Sequence, residues 1–127
     1  MDEAELKART KRFALRCMKL ADSLPKSLSA HVIGGQLVRC GSSVGANYRS
    51  ACRGRSKPEF ISKFGVVEEE ADESGFWMEL IVEGGLKKPE LVEPLHAEAD
   101  ELVRIMTSSI KTARASIQNP KSKIQNR

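Results

Sequence analysis

The chain has 127 residues, with 21 Lys or Arg against 17 Asp or Glu, which gives a formal net charge of +4. This length suits one domain around one hydrophobic core and is too short for two. The acidic amino terminus is unlike a secretory signal, and no window holds the roughly 20 apolar residues of a membrane span, so we expect a cytoplasmic protein with no membrane contact. Aromatic residues are scarce and no alternating β-branched runs occur, which favours an all-α fold.

The first predicted helix has apolar residues at helical spacing and ends before Pro25, because proline disfavours the helical conformation of the residue that precedes it. Its apolar stripe consists of Leu6, Phe13, Cys17, Leu20 and Leu24. The second helix has the stripe Ala30, Ile33, Leu37, Cys40, Val44, Tyr48 and Ala51. Gly34, Gly41 and Gly45 fall beside that stripe and predict the close approach of another helix.

The third predicted helix opens with a capping box. Ser56 is expected to accept the backbone N–H of Glu59, while the Glu59 carboxylate accepts that of Ser56, and Pro58 fits the first turn. The apolar stripe of this helix consists of Phe60, Phe64, Val67, Ala71, Met78 and Ile81. Gly84-Gly85 and Pro89 predict its end.

The fourth helix is predicted from Leu91, Leu95, Ala99, Leu102, Met106, Ile110, Ala113 and Ile117. Pro94 suggests that the regular helix begins near that residue. We expect the bundle to span residues 1–117, followed by a basic tail at 118–127 that has nothing to bury and is disordered. The short connections predict that successive helices are antiparallel neighbours, which gives an up-and-down antiparallel four-helix bundle.

Several segments of the chain resemble one family. They are Gln36 to Cys40, Ser43 to Arg49, Arg55 to Phe60, Glu69 to Glu73, Glu98 to Leu102 and Lys111 to Arg114. With these segments the chain resembles the 23S ribosomal RNA intervening-sequence proteins over nearly its whole length. The resemblance implies a four-helix bundle that assembles as a homopentamer and has no established enzymatic activity. Relatives include the accessory variability proteins of diversity-generating retroelements, which implies nucleic acid and a reverse transcriptase as further partners.

Two short motifs suggest chemistry but lack the context that the chemistry needs. Gly41 to Gly45 matches the G-x-S-x-G of serine hydrolases, yet it lies inside a predicted helix instead of at a strand-to-helix turn. Glu93 and His96 match the Glu-x-x-His of di-iron bundles, but the second such pair is missing, so we expect His96 to be a solvated surface residue. The three cysteines show no CxxC spacing and fit small core residues. We therefore expect neither an enzyme nor a metal or other cofactor.

The strongest functional signal is a basic segment. From Pro25 to Lys57 the chain has six basic residues and no acidic one, whereas from Pro58 to Lys88 it has eight acidic residues and three basic ones. At 100° per residue, Arg39, Arg49 and Arg53 fall on the outward side of the second helix. Together with the loop residues Arg55 and Lys57 they predict a phosphate-binding surface. The alternative is an ordinary charged face that pairs with the acidic third helix.

The acidic run Glu68, Glu69, Glu70, Asp72 and Glu73 spreads around the third helix, which favours a solvated surface over a site of paired carboxylates. The same helix has an apolar strip outside its core stripe, formed by Val66, Trp77 and Leu80. This strip either widens the contact within the chain or forms an interface between subunits, and the resemblance favours the interface.

These observations predict a non-enzymatic, oligomeric bundle that binds nucleic acid, with RNA as the favoured class. The alternative is a scaffold or reverse-transcriptase accessory protein that acts mainly through protein contacts. The two hypotheses differ because nucleic-acid binding requires an unpaired basic face, whereas a scaffold needs only the apolar surface.

Overall fold

The computed structural model describes residues 1–118, which form four α-helices. They are α1 (Glu3–Asp22), α2 (Leu28–Cys52), α3 (Lys57–Glu83) and α4 (Pro89–Gln118). Each helix packs against the next one in the sequence, which confirms the all-α four-helix bundle. The tail predicted to follow residue 117 lies largely outside the described residues, and α4 itself extends to Gln118. Within residues 1–118, no helix is both long enough and apolar enough to cross a membrane.

The first three helices begin at side-chain caps that satisfy a free backbone N–H group. Asp2 accepts from the N–H of Glu5 at 2.8 Å, Ser27 from that of Ala30 at 3.2 Å, and Ser56 from that of Glu59 at 3.2 Å. The capping box differs from the prediction in one contact. The Glu59 carboxylate accepts from the N–H of Arg55 at 3.1 Å, one residue before the predicted donor, and so reaches past the cap into the loop.

The end of α3 is a glycine turn of the kind that closes many helices. Gly85 has a φ of 70°, a left-handed conformation that residues with a Cβ rarely adopt. This turn lets the N–H of Leu86 donate to the carbonyl of Ile81 at 2.9 Å and that of Gly85 to Val82 at 3.0 Å. Both bonds of a Schellman motif are therefore present, and the predicted end of the helix is confirmed.

The start of α4 differs from the prediction. The helix begins at Pro89 and continues through Pro94 without a break. Pro94 lies close to the helix start, so its missing N–H removes one intrahelical bond next to a turn that has free N–H groups in any case. The register of the core also shifts there, because Val92 is buried and the predicted core residue Leu91 is 61% exposed.

The core lies on the inward stripes of all four helices. Its fully enclosed side chains include Phe13, Leu37, Val44, Val67, Met78, Ile81, Val92, Leu102 and Met106. Tyr48 is also buried and packs against Phe64 with ring centroids 5.7 Å apart. Cys17 and Cys40 are buried, and all three cysteines are free, as expected for small core residues.

The helices α1 and α2 are in close contact because α2 presents glycines to α1. A Cβ at Gly45 would lie 3.4 Å from the carbonyl oxygen of Thr10, and one at Gly41 would lie 2.6 Å from the sulfur of Cys17. The predicted role of glycine in helix approach is confirmed for Gly41, whereas a Cβ at Gly34 or Gly45 would make ordinary contacts. The geometry places the outward side chains of α1 and α2 next to one another along one surface of the bundle.

Candidate nucleic-acid interface

Two of the five predicted phosphate-binding residues lie in a groove between α1 and α2. Arg49 and Arg53 form one side of this groove, and residues of α1 form the other. The groove has a volume of about 540 Å³ and its lining consists of Lys7, Ala8, Lys11, Arg12, Leu15, Arg49 and Arg53. Five of these seven residues are basic and none is acidic. We refer to this set of residues as the basic groove.

Four of the basic side chains in the groove are free of acidic partners within residues 1–118. Lys7 forms an ion pair with Glu3 at 3.2 Å, but Lys11, Arg12, Arg49 and Arg53 are exposed and form none. The backbones of the two helices are close together below them, because Gly45 contacts the backbone of Thr10. These four exposed cations therefore lie along one strip of surface, where binding an anion relieves their mutual repulsion.

Arg39 belongs to a different cluster. Its guanidinium bonds Glu73, lies 3.3 Å from the Glu70 carboxylate and donates to the side-chain oxygen of Gln36 at 2.9 Å. The indole N–H of Trp77 donates to the same Glu73 carboxylate at 3.0 Å. For Arg39 the structure therefore matches the alternative interpretation, in which a basic side chain pairs with the acidic helix. The acidic run is accordingly not purely solvated.

Arg55 and Lys57 lie at the connection between α2 and α3, outside the groove lining. Lys57 donates to the hydroxyl of Ser116 on α4, which ties the start of α3 to the last turns of α4. Arg55 is exposed. The five predicted residues are thus divided among three places on the surface, and the groove contains two of them.

The sequence interpretation missed Lys7, Lys11 and Arg12, although the charge pattern contains a signal for them. Between Glu5 and Glu59 the chain has twelve basic residues and one acidic residue, Asp22. The chain is therefore also free of acidic residues from Leu6 to Ala21 of α1. A face of α1 joins the basic surface only because the glycines of α2 bring the two helices together, and that packing is a tertiary property.

The predicted apolar strip is only partly exposed. Val66 is exposed, whereas Trp77 and Leu80 are half-buried, and Trp77 packs against the core of its own chain. Phe76, which the sequence interpretation missed, is 49% exposed and meets the Trp77 ring edge-on at a centroid distance of 5.1 Å. The assignment of Val66, Trp77 and Leu80 to an interface between subunits stays a prediction.

His96 is half-buried, in contrast to the solvated position expected for it. Its Nε2 lies 2.9 Å from a carboxylate oxygen of Glu79, and its Nδ1 lies 3.6 Å from one of Asp100. Gly75 leaves the space that the ring occupies, since a Cβ there would lie 3.5 Å from Nε2. Within residues 1–118, no group of three or more His, Cys, Asp or Glu side chains is arranged to hold a metal ion.

The buried thiols have the properties of core residues. Burial raises the pKa of Cys17 to about 12, and burial also raises the pKa of Cys40, which accepts a hydrogen bond from Ser74 at 3.2 Å. A thiol with a raised pKa stays protonated at neutral pH and is a weak nucleophile. Neither residue has the environment of a reactive cysteine.

Comparisons with known proteins agree with this architecture. Residues 2–108 match the family model described as 23S rRNA-intervening sequence protein. A crystal structure of a protein with unknown function, from the S23 ribosomal protein family of Bacteroides thetaiotaomicron VPI-5482, is similar with a TM-score of 0.80 and 30% sequence identity. The alignment covers 87% of this chain and 99% of that one. No curated protein matches the chain.

Proposed function

We propose that this chain, which belongs to the 23S rRNA-intervening sequence protein family, binds nucleic acid through the basic groove and has no catalytic role. One observation carries the proposal: Lys11, Arg12, Arg49 and Arg53 converge on one groove without acidic partners among residues 1–118. The family description concerns a segment of ribosomal RNA and favours RNA as the class of ligand.

The chemistry of the groove suits phosphate oxygens. Guanidinium groups donate two parallel N–H bonds to a phosphate, and ammonium groups act as point charges. Small exposed residues on α2 next to the arginines, Ser42 and Ala46, allow a bulky polyanion to approach the helix closely. Contacts of this kind supply affinity and carry little base information, so binding is expected to depend on salt and to be weakly selective for sequence.

The proposal includes self-association, in a pentamer if the resemblance holds. Copies of the basic groove would then repeat around the assembly, and binding at one groove would raise the effective concentration of phosphate at the next. Repetition matters because a single groove supplies only four cations that have no acidic partner among residues 1–118. The alternative, a scaffold or reverse-transcriptase accessory protein, is supported by one specific observation, which is the exposed Phe76 ring stacked edge-on against Trp77.

A double variant that replaces two arginines with neutral glutamines tests the proposal. Arg49→Gln/Arg53→Gln removes two phosphate contacts, and each contact contributes about 0.7 to 0.9 to the slope of log affinity against log salt concentration. The slope measured by fluorescence anisotropy with a labelled RNA should therefore fall by about 1.5. Circular dichroism and light scattering check that helicity and oligomer size are unchanged.

The matched control is Lys26→Gln/Lys88→Gln. It removes the same net charge at the loops that join α1 to α2 and α3 to α4, at the end of the bundle opposite the connection of α2 to α3. The proposal expects a nearly unchanged slope for this control. If both double variants bind like the unmodified protein, or if that protein fails to bind at low salt, the groove is a solvated surface and the scaffold hypothesis replaces this one.

A further inference from the structure

The basic groove lacks the feature with which proteins hold single-stranded nucleic acid, namely an aromatic ring on which bases stack. Phe13 and Tyr48, the aromatic residues of the two helices that form the groove, are 0% and 3% exposed. The exposed ring of Phe76 belongs to α3, and no aromatic residue lines the groove. The groove offers cations and aliphatic groups and no aromatic ring on which a base can stack.

The cations are arranged in two short rows. Lys7 and Lys11 are four residues apart on α1, and Arg49 and Arg53 are four residues apart on α2, so each row covers about 6 Å along its helix. The rows lie on helices in close contact, since a Cβ added at Gly41 would lie 2.6 Å from the sulfur of Cys17. A duplex likewise presents two rows of phosphates, one along each strand.

From these observations we infer that the ligand of the basic groove is a double-stranded nucleic acid, bound through its phosphates. The inference rests on the proposed function and specifies the form of its ligand. A duplex carries about one charge per 1.7 Å of helix axis, twice the density of one strand, and a site without stacking gains all of its affinity from that charge.

The expected preference follows from counterion release. Each phosphate contact contributes a slope of about 0.9 for a duplex and about 0.7 for a single strand. We take each of the four cations without acidic partners among residues 1–118 to contact one phosphate, and the duplex and the single strand to bind equally at 1 M salt. The duplex is then bound about tenfold more tightly than the single strand at about 50 mM salt. This preference should shrink as salt is added.

The test compares a 20-base-pair RNA duplex with one of its strands, chosen not to pair with itself, by anisotropy over a range of KCl concentrations. We expect the duplex to be bound about tenfold more tightly at low salt, with no dependence on its sequence. Equal or tighter binding of the single strand overturns the inference and leaves the proposed function standing. Failure of both RNAs to bind overturns the proposed function itself.

A gain-of-function variant provides an independent arm. Leu15 lines the groove and is 55% exposed, so Leu15→Trp supplies the missing stacking surface without disturbing the core. It should raise the affinity for the single strand about tenfold relative to the affinity for the duplex. The control, Leu91→Trp, changes an equally exposed leucine on α4 and should alter neither affinity. If Leu15→Trp strengthens duplex and single strand equally, the phosphate-only mode of binding is wrong.

Discussion

Two glycines of α2 show how the same residue type serves different purposes within one helix. Gly41 faces α1, where an added Cβ would lie 2.6 Å from the sulfur and 2.8 Å from the Cβ of Cys17. Gly35 is exposed, and an added Cβ would meet no atom within 4 Å. The contact between α1 and α2 therefore depends on Gly41, while Gly35 only lowers the helix propensity.

Substitution of each glycine by alanine should consequently change stability in opposite directions. Gly41→Ala forces the two helices apart and should lower the free energy of unfolding by about 1 to 3 kcal/mol. Gly35→Ala should raise it by up to about 1 kcal/mol, because alanine is the better helix former. Urea unfolding followed by circular dichroism measures both values. An unaltered midpoint for Gly41→Ala would show that α1 does not pack as closely as described.

At the scale of single residues the sequence predicted helix faces well and side-chain partners poorly. Tyr48 was correctly assigned to the core, because a 3.6-residue period determines which side of a helix is apolar. The pairing of Arg39 with Glu70 and Glu73 was left open, since it depends on the register of α2 against α3. Lys11 and Arg12 were missed for the same reason, because their neighbours across the groove belong to another helix.

Among the helix pairs, α1 and α4 make the sparsest contact, and one ion pair reinforces it. Arg9 donates from Nε and from Nη2 to the two carboxylate oxygens of Glu98, at 2.7 and 2.8 Å. Both side chains are about four-fifths buried, and the hydrogen bonds to Glu98 raise the pKa of Arg9. Two parallel hydrogen bonds of this kind fix the relative orientation of the two side chains and also strengthen their contact.

Loss of this pair should loosen α1 selectively. Arg9→Met leaves the Glu98 carboxylate partly buried without its partner and should cost about 2 kcal/mol of unfolding free energy. Arg9→Met/Glu98→Met should recover part of that loss, because no charge is then left unpaired. Hydrogen exchange should show the largest loss of protection in α1. Arg104→Met serves as control, since its pair with Glu101 is exposed and worth at most about 1 kcal/mol.

Helix ends were predictable where a local signal fixes them and less so elsewhere. Ser56 and Gly84-Gly85 lie at the predicted ends of α3, because caps and glycine turns are encoded by a few adjacent residues. The start of α4 was predicted near Pro94 and lies at Pro89. Burial of Val92 and Leu95 against the core stabilises the turn that contains Pro94, and such packing is not visible in local sequence.

Over the whole molecule, charge is segregated between the two halves of the bundle. From Lys7 to Lys57 the chain has twelve basic residues and one acidic residue. From Pro58 to Met106 it has thirteen acidic residues and four basic ones. The first pair of helices is therefore basic and the second pair is acidic. If copies of the chain associate, this charge distribution favours contacts between unlike surfaces, and such contacts form rings when the rotation closes.

The exposed Phe76 and the half-buried Leu80 of α3 lie in the acidic half. Phe76 and Leu80 are one helical turn apart, and Asp72, Glu73 and Glu83 are within one turn of them on the same helix. Two copies of this surface would repel one another, so its partner in self-association should be a basic surface of the next copy. Such a contact combines burial of apolar area with attraction between opposite charges, and the electrostatic part weakens with salt.

Phe76→Ser/Leu80→Ser should therefore convert the oligomer into a monomer with its helices intact, since neither residue is part of the core. We choose these residues over Trp77, whose truncation would also remove packing within the subunit. Light scattering at micromolar concentration measures the size, and circular dichroism checks the fold. Leu91→Ser, at an exposed leucine on α4, is the control and should leave the size unchanged. An oligomer that survives the double substitution would show that α3 does not form the interface. If the unmodified protein is a monomer, the basic groove has to bind nucleic acid as a single copy, with the shallow salt slope of about four contacts.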